Sequence, residues 1–249
     1  MQRVKKRIFA GKVCEQIVYS IGDRASAKKA KPRLRFKSEE ERAEHRMRIA
    51  ERAHARLVNE NFSPLSLYST LTFDDKHEIH TFTEARRIRS AYRRRLQYLY
   101  PDARINIYMG RGKSTSRIHF HMLTDGIPAE AIIDKWGYGD VIRIEPLREH
   151  NYYDGKDCGR DYTGLANYLF RHWTPEQGGH YYMSTRNMAK AEEEDAVPCK
   201  RAYTAEKPPR APKGYTLVSV ETNKFGYIYY KYVALPPKRG RGRPPKDHI

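Results

Sequence analysis

The stretch that decides the fold is Arg117–Thr124, which reads RIHFHMLT and is followed by an Asp-Gly turn. Alternate residues of a β-strand point to opposite faces. The pattern therefore predicts a strand that sends Phe120 into the core and projects His119 and His121 together on the other face. Two imidazoles on one face of a strand are ready ligands for a divalent metal ion. The same spacing is also typical of paired surface histidines. The motifs in the neighbouring segments are therefore needed to distinguish a metal site from a surface pair.

Strand and helix patterns alternate on both sides of this strand. Apolar residues recur at helical spacing in some segments, and β-branched and aromatic residues are concentrated in others. The order strand, helix, strand, strand, helix, strand, helix predicts an α+β domain in which an antiparallel sheet is covered by helices on one face. The predicted strands are Leu67–Phe73, Arg104–Met109, Arg117–Thr124 and Val141–Ile144, and the predicted helices are Thr83–Tyr100, Pro128–Trp136 and Tyr162–His172.

The N-terminal 60 residues are predicted to be a basic arm followed by a helix. Ser38 and Glu41 have the spacing of a capping box, which marks the start of this helix, and its pattern runs to about Asn59. A row of arginines gives the helix either a solvated basic face or a phosphate-binding one. These arginines are Arg42, Arg46, Arg48, Arg52 and Arg56.

Composition changes again after the predicted α+β domain. A charged, proline-containing segment has the character of a linker, and two strand patterns around a turn then predict a β-hairpin. The last residues are rich in Pro, Gly, Lys and Arg and are disordered by composition. The predicted organisation is an arm and helix at 1–60, the α+β domain at 61–190, a linker at 191–213, the hairpin at 214–235 and the tail at 236–249.

The charge of the chain indicates a polyanionic partner. Lysine and arginine number 48 against 30 aspartates and glutamates, a formal net charge of +18, and such an excess favours nucleic acid through phosphate neutralisation. No apolar stretch approaches the length of a membrane helix, and the N-terminus lacks the apolar core of a signal peptide. We therefore expect a cytoplasmic protein without a membrane partner. Its three cysteines, expected to be reduced thiols, are Cys14, Cys158 and Cys199.

Four further motifs accompany the two histidines in a fixed order. The set resembles the HUH endonuclease family, in particular the rolling-circle replication-associated proteins of bacteriophages and mobile elements. The resemblance covers roughly residues 60–190, and no single motif in it is specific. The motifs are the strand STLTFD at 69–74, the segment WGYGDVIRIEPL at 136–147, the pair Tyr168 and Arg171 on the last predicted helix, and STRN at 184–187.

This resemblance implies an enzyme that nicks and rejoins single-stranded DNA at a replication origin. His119 and His121 would hold Mg²⁺ or Mn²⁺, which polarises and orients the scissile phosphate. Tyr168 would be the nucleophile that forms a 5′-phosphotyrosyl intermediate and frees a 3′-OH for synthesis. Arg171 stands where family members commonly carry lysine and would stabilise phosphate charge. The implied partners are the origin DNA and a host DNA polymerase and helicase in the bacterial cytoplasm.

The sequence departs from the family pattern at the third metal ligand. The family usually supplies an acidic residue from the strand before the histidines, but residues 104–110 read RINIYMG and contain no carboxylate. Asp74, Asp125, Asn106 or water could take its place. Tyr162 also competes with Tyr168 for the role of nucleophile, and its position before the core of the helix disfavours it.

Basic residues near these motifs are the candidates for DNA contact. The run GRGKST at 110–115 lacks the glycine spacing of a nucleotide-binding P-loop and is interpreted as a basic turn. The tail contains RGRP, which is similar to a minor-groove AT-hook and equally typical of a generic basic tail. The candidate DNA-binding residues are Arg86, Arg87, Arg93, Arg94, Arg111, Lys113, Arg186, Arg241 and Arg243.

Two alternatives to a replication initiator stay open. A single-tyrosine HUH transposase or relaxase would use the same chemistry in another biological setting. The missing carboxylate motivates the second alternative, a non-enzymatic protein that binds DNA or RNA on a sheet and basic helices without cutting it.

Overall fold

Antiparallel β-sheets and four α-helices make up the part of the chain that the computed structural model describes, namely residues 2–22, 36–112, 117–153, 155–172, 180 and 182–234. The strands are β1 Gln2–Ala10, β2 Val13–Ile21, β3 Leu67–Thr72, β4 Arg104–Arg111, β5 Ile118–Asp125, β6 Val141–Pro146, β7 Tyr152–Tyr153, β8 Lys156–Asp157, β9 Tyr182–Ser184, β10 Glu192–Glu193, β11 Val197–Pro198, β12 Tyr215–Thr222 and β13 Ile228–Ala234. The helices are α1 Glu39–Asn61, α2 Phe82–Leu99, α3 Ala129–Trp136 and α4 Thr163–Arg171. No helix in these ranges is long and apolar enough to cross a bilayer.

The predicted histidine strand, β5, is the middle strand of a five-stranded antiparallel sheet with the order β6-β3-β5-β4-β9. Phe120 pairs with Leu71 on one side and Met109 on the other, and all three side chains are buried. The residues before and after Phe120 therefore project from the opposite face, as the alternation predicts. The α+β class and the antiparallel sheet are confirmed.

Helices cover both faces of this sheet, so the prediction of helices on one face is wrong. Tyr92 and Leu96 of α2 pack with α3 on the face that carries Phe120. Val58 of α1 and Leu169 of α4 pack on the face that carries His121. The sequence pattern places apolar residues on each helix but does not say which side of the sheet each one covers, because that depends on the crossovers between strands.

Helix α1 begins as its capping box predicts. The Ser38 hydroxyl accepts a hydrogen bond from the backbone N–H of Glu41 at 3.2 Å, and the Glu41 carboxylate in turn accepts one from the backbone N–H of Lys37. The first of these bonds satisfies a donor that the first turn of a helix leaves unpaired, and the second ties the residue before the N-cap to the helix. The helix runs two residues beyond the predicted end and contacts α4 over much of its length.

The two ends of the chain form a second sheet, which the sequence analysis did not predict. The segment expected to be an arm folds into β1 and β2, and β2 pairs along its length with β13 of the predicted hairpin. Residues expected to be a linker form β10 and β11, which pair with β1, and Tyr203 of the same segment is buried against this sheet. The sequence of β1, QRVKKRIFA, hides its strand character because charged residues interrupt the apolar ones.

The segment Trp136–Gly139 attaches β6 to β3. The indole N–H of Trp136, a fully buried residue, donates to the carbonyl oxygen of Thr72 at 2.8 Å. Gly139 lies against the backbone of residues 72–74, with a φ of 150°. The WGYG motif thus acts in folding, since it sets the position of the strand that follows.

Replacing Gly139 with alanine is expected to destabilise the fold. An added Cβ would lie 2.5 Å from the backbone nitrogen of Asp74 and 2.6 Å from the carbonyl oxygen of Thr72, and neither backbone can move without disturbing β3. Backbone strain of this kind costs about 1–3 kcal/mol and the clash adds to it, so we expect the free energy of unfolding in urea to fall by about 2–4 kcal/mol.

Gly164→Ala is the matched control. Gly164 lies in the first turn of α4, its Cβ would meet nothing within 4 Å, and its φ is not positive. The alanine variant should be as stable as the parent or more stable by up to about 1 kcal/mol. An equal loss of stability in both variants would contradict the role of Gly139.

Candidate active site

Three histidines converge at the end of the central sheet. His119 and His121 come from β5, and His172 follows the last residue of α4. The Nε2 atom of His119 lies 3.2 Å from Nε2 of His121 and 2.9 Å from Nε2 of His172. The candidate ligand atoms of the three rings all lie within 4.8 Å of one another.

This geometry fits a metal ion. Imidazole nitrogens bind zinc-like ions at about 2.0–2.1 Å, so two ligands at octahedral or tetrahedral angles are separated by about 2.8–3.4 Å. The Nε2 separations of His119 from His172 and from His121, 2.9 and 3.2 Å, lie within that range. Three ligands from one side also leave coordination positions open for a substrate oxygen. Among the described residues, no other group of three or more potential ligands was found.

The environment keeps His119 and His121 neutral. Burial, with the neighbouring charges of His119 and His172, lowers the pKa of His121 to about 3. Burial and His172 also lower the pKa of His119. A neutral imidazole has a free nitrogen lone pair, whereas a protonated one has none. At pH 7 His119 and His121 are therefore in the state that binds metal.

Hydrogen bonds from neighbouring residues orient the ligand rings. The Nδ1 atom of His121 lies 2.8 Å from the hydroxyl of Tyr68 and 3.2 Å from the hydroxyl of Thr70. A hydrogen bond with the backbone of Arg117 holds the His119 ring. Partners of this kind select the tautomer that presents Nε2 to the metal. Both hydroxyls belong to β3, the strand of the predicted STLTFD motif.

Gly110 provides the space in which two of the rings lie. It pairs with His119 across β4 and β5. A Cβ at this position would lie 2.4 Å from Cδ2 of His172 and 2.5 Å from Nε2 of His119. The absence of a side chain at Gly110 therefore allows His172 to join the histidines of β5.

Tyr168 lies beside the three histidines with its ring half in solvent. Its ring centroid is 6.1 Å from that of His121 and 5.2 Å from that of His172, and 51% of the residue is exposed. Tyr162, the competing candidate, is 2% exposed and precedes the helix. Of these two tyrosines, Tyr168 is therefore the one whose side chain is accessible from solvent.

Arg171 is held by α1. Its guanidinium makes a two-point ion pair with the buried carboxylate of Glu51, with one contact of 2.8 Å. Such a forked pair fixes the geometry of both groups. The residue predicted to stabilise phosphate charge thus connects α4 to α1 in this arrangement.

Arg143 is a cation near Tyr168 that the sequence analysis missed. Its guanidinium lies 5.6 Å from the ring centroid of Tyr68, and hydrogen bonds to Glu145 raise its pKa, with smaller contributions from Tyr68 and Tyr168. The residue belongs to β6, within the segment 136–147. The side-chain alternation along β6 could have predicted its position, because alternation places Arg143 and Glu145 on the same face of the sheet as the histidines.

Neither carboxylate considered as a third ligand, Asp74 or Asp125, belongs to the histidine cluster, and both polar atoms of the Asn106 amide are engaged elsewhere, by Tyr108 and Ser184. Asn106 donates to the hydroxyl of Tyr108, Asp125 accepts from Ser66, and Asp74 caps the short 3₁₀ turn that follows it. The third histidine, His172, was missed although it carried a signal. It follows Tyr168 by four residues, a spacing that places both on one side of a helix.

The candidate DNA-binding residues occupy several separate surfaces. Arg86, Arg87, Arg93 and Arg94 belong to α2, which covers the face of the sheet opposite the histidines. Arg111 lies at the histidine end of β4, with its guanidinium 4.7 Å from the ring centroid of Phe82. Arg186 is exposed near the other end of β4, where its neighbour Thr185 bonds with Ile105. Lys113, Arg241 and Arg243 lie outside the described residues.

No family model matches the chain, and comparisons with curated proteins and with solved structures found no significant match either.

Replacing Gly110 with alanine is expected to weaken metal binding. The new methyl group would displace the rings of His119 and His172, so we expect the affinity for Mn²⁺ or Co²⁺ to fall by at least about ten-fold, the lower end of the effect of disturbing groups around a metal site. Titration calorimetry would measure the affinity, and Gly164→Ala would serve as the control. Unchanged affinity in a folded Gly110→Ala protein would show that the three rings do not share one ion.

Proposed function

We propose that this protein is an HUH-type endonuclease that cuts and rejoins single-stranded DNA through a covalent tyrosine–phosphate link. The observation that carries the proposal is the half-exposed ring of Tyr168 next to three converging imidazoles. A nucleophile beside a metal-binding cluster is the arrangement that phosphodiester transfer requires. The net charge of +18 supports a nucleic acid as the substrate.

The reaction exchanges one phosphodiester for another. The Tyr168 oxygen attacks phosphorus, a bond forms between them, and the bond from phosphorus to the 3′ oxygen breaks. The tyrosine hydroxyl loses its proton and the leaving 3′ oxygen gains one, so the products are a 5′-phosphotyrosyl end and a free 3′-OH. Because bond energy is retained, the reverse reaction rejoins the ends. A metal ion bound by the histidines would supply Lewis-acid stabilisation of phosphate charge.

The donor set favours some metal ions over others. Imidazole nitrogens are good ligands for transition-metal ions, whereas Mg²⁺ prefers oxygen ligands and keeps several waters. His119, His121 and His172 supply three nitrogens and no carboxylate. Of the two ions expected from the sequence, Mn²⁺ therefore fits this site better than Mg²⁺.

The arginines of α2 support a second region of DNA contact. Arg87 and Arg94 are exposed and have no carboxylate partner among the described residues, and seven positions separate them on one side of the helix. By contrast, every arginine of the α1 row is paired with a glutamate. These pairs are Arg42 and Arg46 with Glu39, Arg48 with Glu44, Arg52 with Glu221, and Arg56 with Glu15. The α2 arginines need not release a glutamate before they bind phosphate, so we take them, rather than the α1 row, as the phosphate ligands of this region.

Initiation of rolling-circle replication is the biological role that the sequence motifs favour. It would join the nick to an origin and to a host polymerase that extends the free 3′-OH. A transposase or relaxase would use the same residues. The non-enzymatic alternative was motivated by the missing third ligand, and His172 could take that position.

Tyr168→Phe is expected to abolish the covalent adduct. Incubated with single-stranded origin DNA and Mn²⁺, the parent protein should form a DNA-linked species that survives denaturing electrophoresis. The phenylalanine variant lacks the attacking oxygen and should form none. EDTA should prevent the adduct in the parent protein.

Tyr152→Phe is the control for this experiment because Tyr152 is also exposed, at 71%, but lies outside α4. It should form the adduct at the parent rate. An adduct formed equally by Tyr168→Phe, or none formed by the parent protein with any metal, would sink the proposed function.

Replacing Arg87 and Arg94 together with glutamine is expected to weaken DNA binding and its salt dependence. Loss of two phosphate contacts should lower the slope of log affinity against log salt by about 1.4–1.8. Fluorescence anisotropy at several salt concentrations would measure this slope. The matched variant Arg42→Gln with Arg46→Gln removes two arginines that would first have to release Glu39, and it should lower the slope by less.

A further inference from the structure

A cavity opens directly beside Tyr168, on the side away from α1. It lies between β6, the loop that follows β6 and the start of α4, and its volume is about 310 Å³. This is the lower range of small-molecule sites, about 300–1,000 Å³. The side chains used below are Tyr68, Arg143, Glu145, Tyr162, Leu165 and Tyr168, all of which line it.

The position of the cavity restricts what can enter it. Tyr168 forms part of its wall, so a nucleotide whose phosphate is attacked by the Tyr168 oxygen has its own base or that of its neighbour within reach of the cavity. The bases of consecutive nucleotides in a single strand can be splayed apart. A base can therefore rotate into this cavity while the phosphate next to it stays in contact with Tyr168.

The walls suit a flat, partly polar ring. Tyr68, Tyr162 and Tyr168 line the cavity with aromatic side chains, of which Tyr168 is the exposed one, and Leu165 supplies aliphatic surface. The buried hydroxyl oxygen of Tyr162 has no hydrogen-bond partner among the described residues. An unsatisfied buried hydroxyl is costly, and a small movement of the Tyr162 ring would bring it to a polar edge of a ligand.

Arg143 at the rim of the cavity is a cation that can bind phosphate in place of its present partner. Arg143 donates to both carboxylate oxygens of Glu145, at 2.7 and 2.8 Å. Both side chains are largely exposed, and an exposed ion pair contributes little to stability. Arg143 can therefore exchange Glu145 for a phosphate at small cost, which leaves the Glu145 carboxylate free to accept a hydrogen bond from a base amino group.

We propose that this cavity binds the base of a nucleotide adjoining the scissile phosphate, with Arg143 contacting the phosphate backbone. The proposal rests on the proposed function, because it takes Tyr168 as the nucleophile. It assigns to the cavity the role of fixing the cleavage position along the strand.

The test measures binding separately from cleavage. Fluorescence anisotropy in EDTA with the Tyr168→Phe background would compare a normal single-stranded oligonucleotide with oligonucleotides that carry one abasic nucleotide, moved along the strand. Loss of a stacked base typically lowers affinity by roughly ten-fold or more. We expect this loss at one nucleotide adjoining the cleavage position and smaller losses elsewhere.

Leu165→Trp fills the cavity and should remove the same contribution. The variant should bind the normal oligonucleotide as weakly as the abasic one. Combining Leu165→Trp with the abasic nucleotide should therefore lower the affinity no more than either change alone. Leu65→Trp is the matched control, since Leu65 is 89% exposed and lies outside the cavity. If Leu165→Trp keeps the parent ratio between normal and abasic oligonucleotides, the cavity does not bind a base.

Arg143→Gln provides a second test if Leu165→Trp fails to fold. Arg143 is exposed, so its replacement should not disturb the fold. It should weaken normal and abasic oligonucleotides alike, by about five-fold at low salt, while Arg42→Gln should not. Unchanged binding of Arg143→Gln would overturn the proposed phosphate contact. Failure of the proposed function shows itself differently, as the absence of any adduct with the parent protein.

Discussion

The alternation of side chains along β5 connects the folding of this protein to its site. Phe120 is held in the core by Leu71 and Met109, and this packing fixes the direction in which its two neighbours point. A shift of one residue in the register would turn both histidines of β5 toward the face covered by α2 and turn Phe120 toward the face covered by α4. Because β5 is the middle strand, its two partner strands supply the hydroxyls that orient His121 and the glycine that makes room for His172.

The histidine cluster has a conflict that a metal ion would remove. The Nε2 atom of His119 lies 2.9 Å from that of His172 and 3.2 Å from that of His121, and one imidazole nitrogen can be a donor or an acceptor but not both. Protonation is opposed by burial and by the neighbouring rings, as the low pKa of His121 indicates. An ion that accepts all three lone pairs relieves the conflict without charge repulsion between rings. The same features that lower the pKa therefore favour metal binding.

Helix α1 links the two sheets and holds α4 in place. Glu51 binds Arg171, and Asn59 accepts a hydrogen bond from the backbone N–H at Tyr162, at the start of α4. On its other side α1 reaches the second sheet, where Arg56 contacts Glu15 of β2. The orientation of Tyr168 thus depends on contacts made more than a hundred residues earlier in the chain. A basic row that resembles a DNA-binding surface is used here for internal ion pairs.

The local pattern was sufficient for the elements of the central sheet and for the placement of His119 and His121 on one face, because side-chain periodicity is a property of a strand or helix by itself. Capping at Ser38 and the C-terminal hairpin were equally local. The second sheet was not, because the local hairpin of β1 and β2 becomes part of a larger sheet only when β2 pairs with β13, some two hundred residues away, and β1 pairs with β10 and β11. Tertiary structure alone decided that α4 delivers His172 over Gly110, that Arg171 faces Glu51, and that Arg143 lies near Tyr168. Each of these depends on how helices pack across a sheet, which the order of residues along one element does not contain.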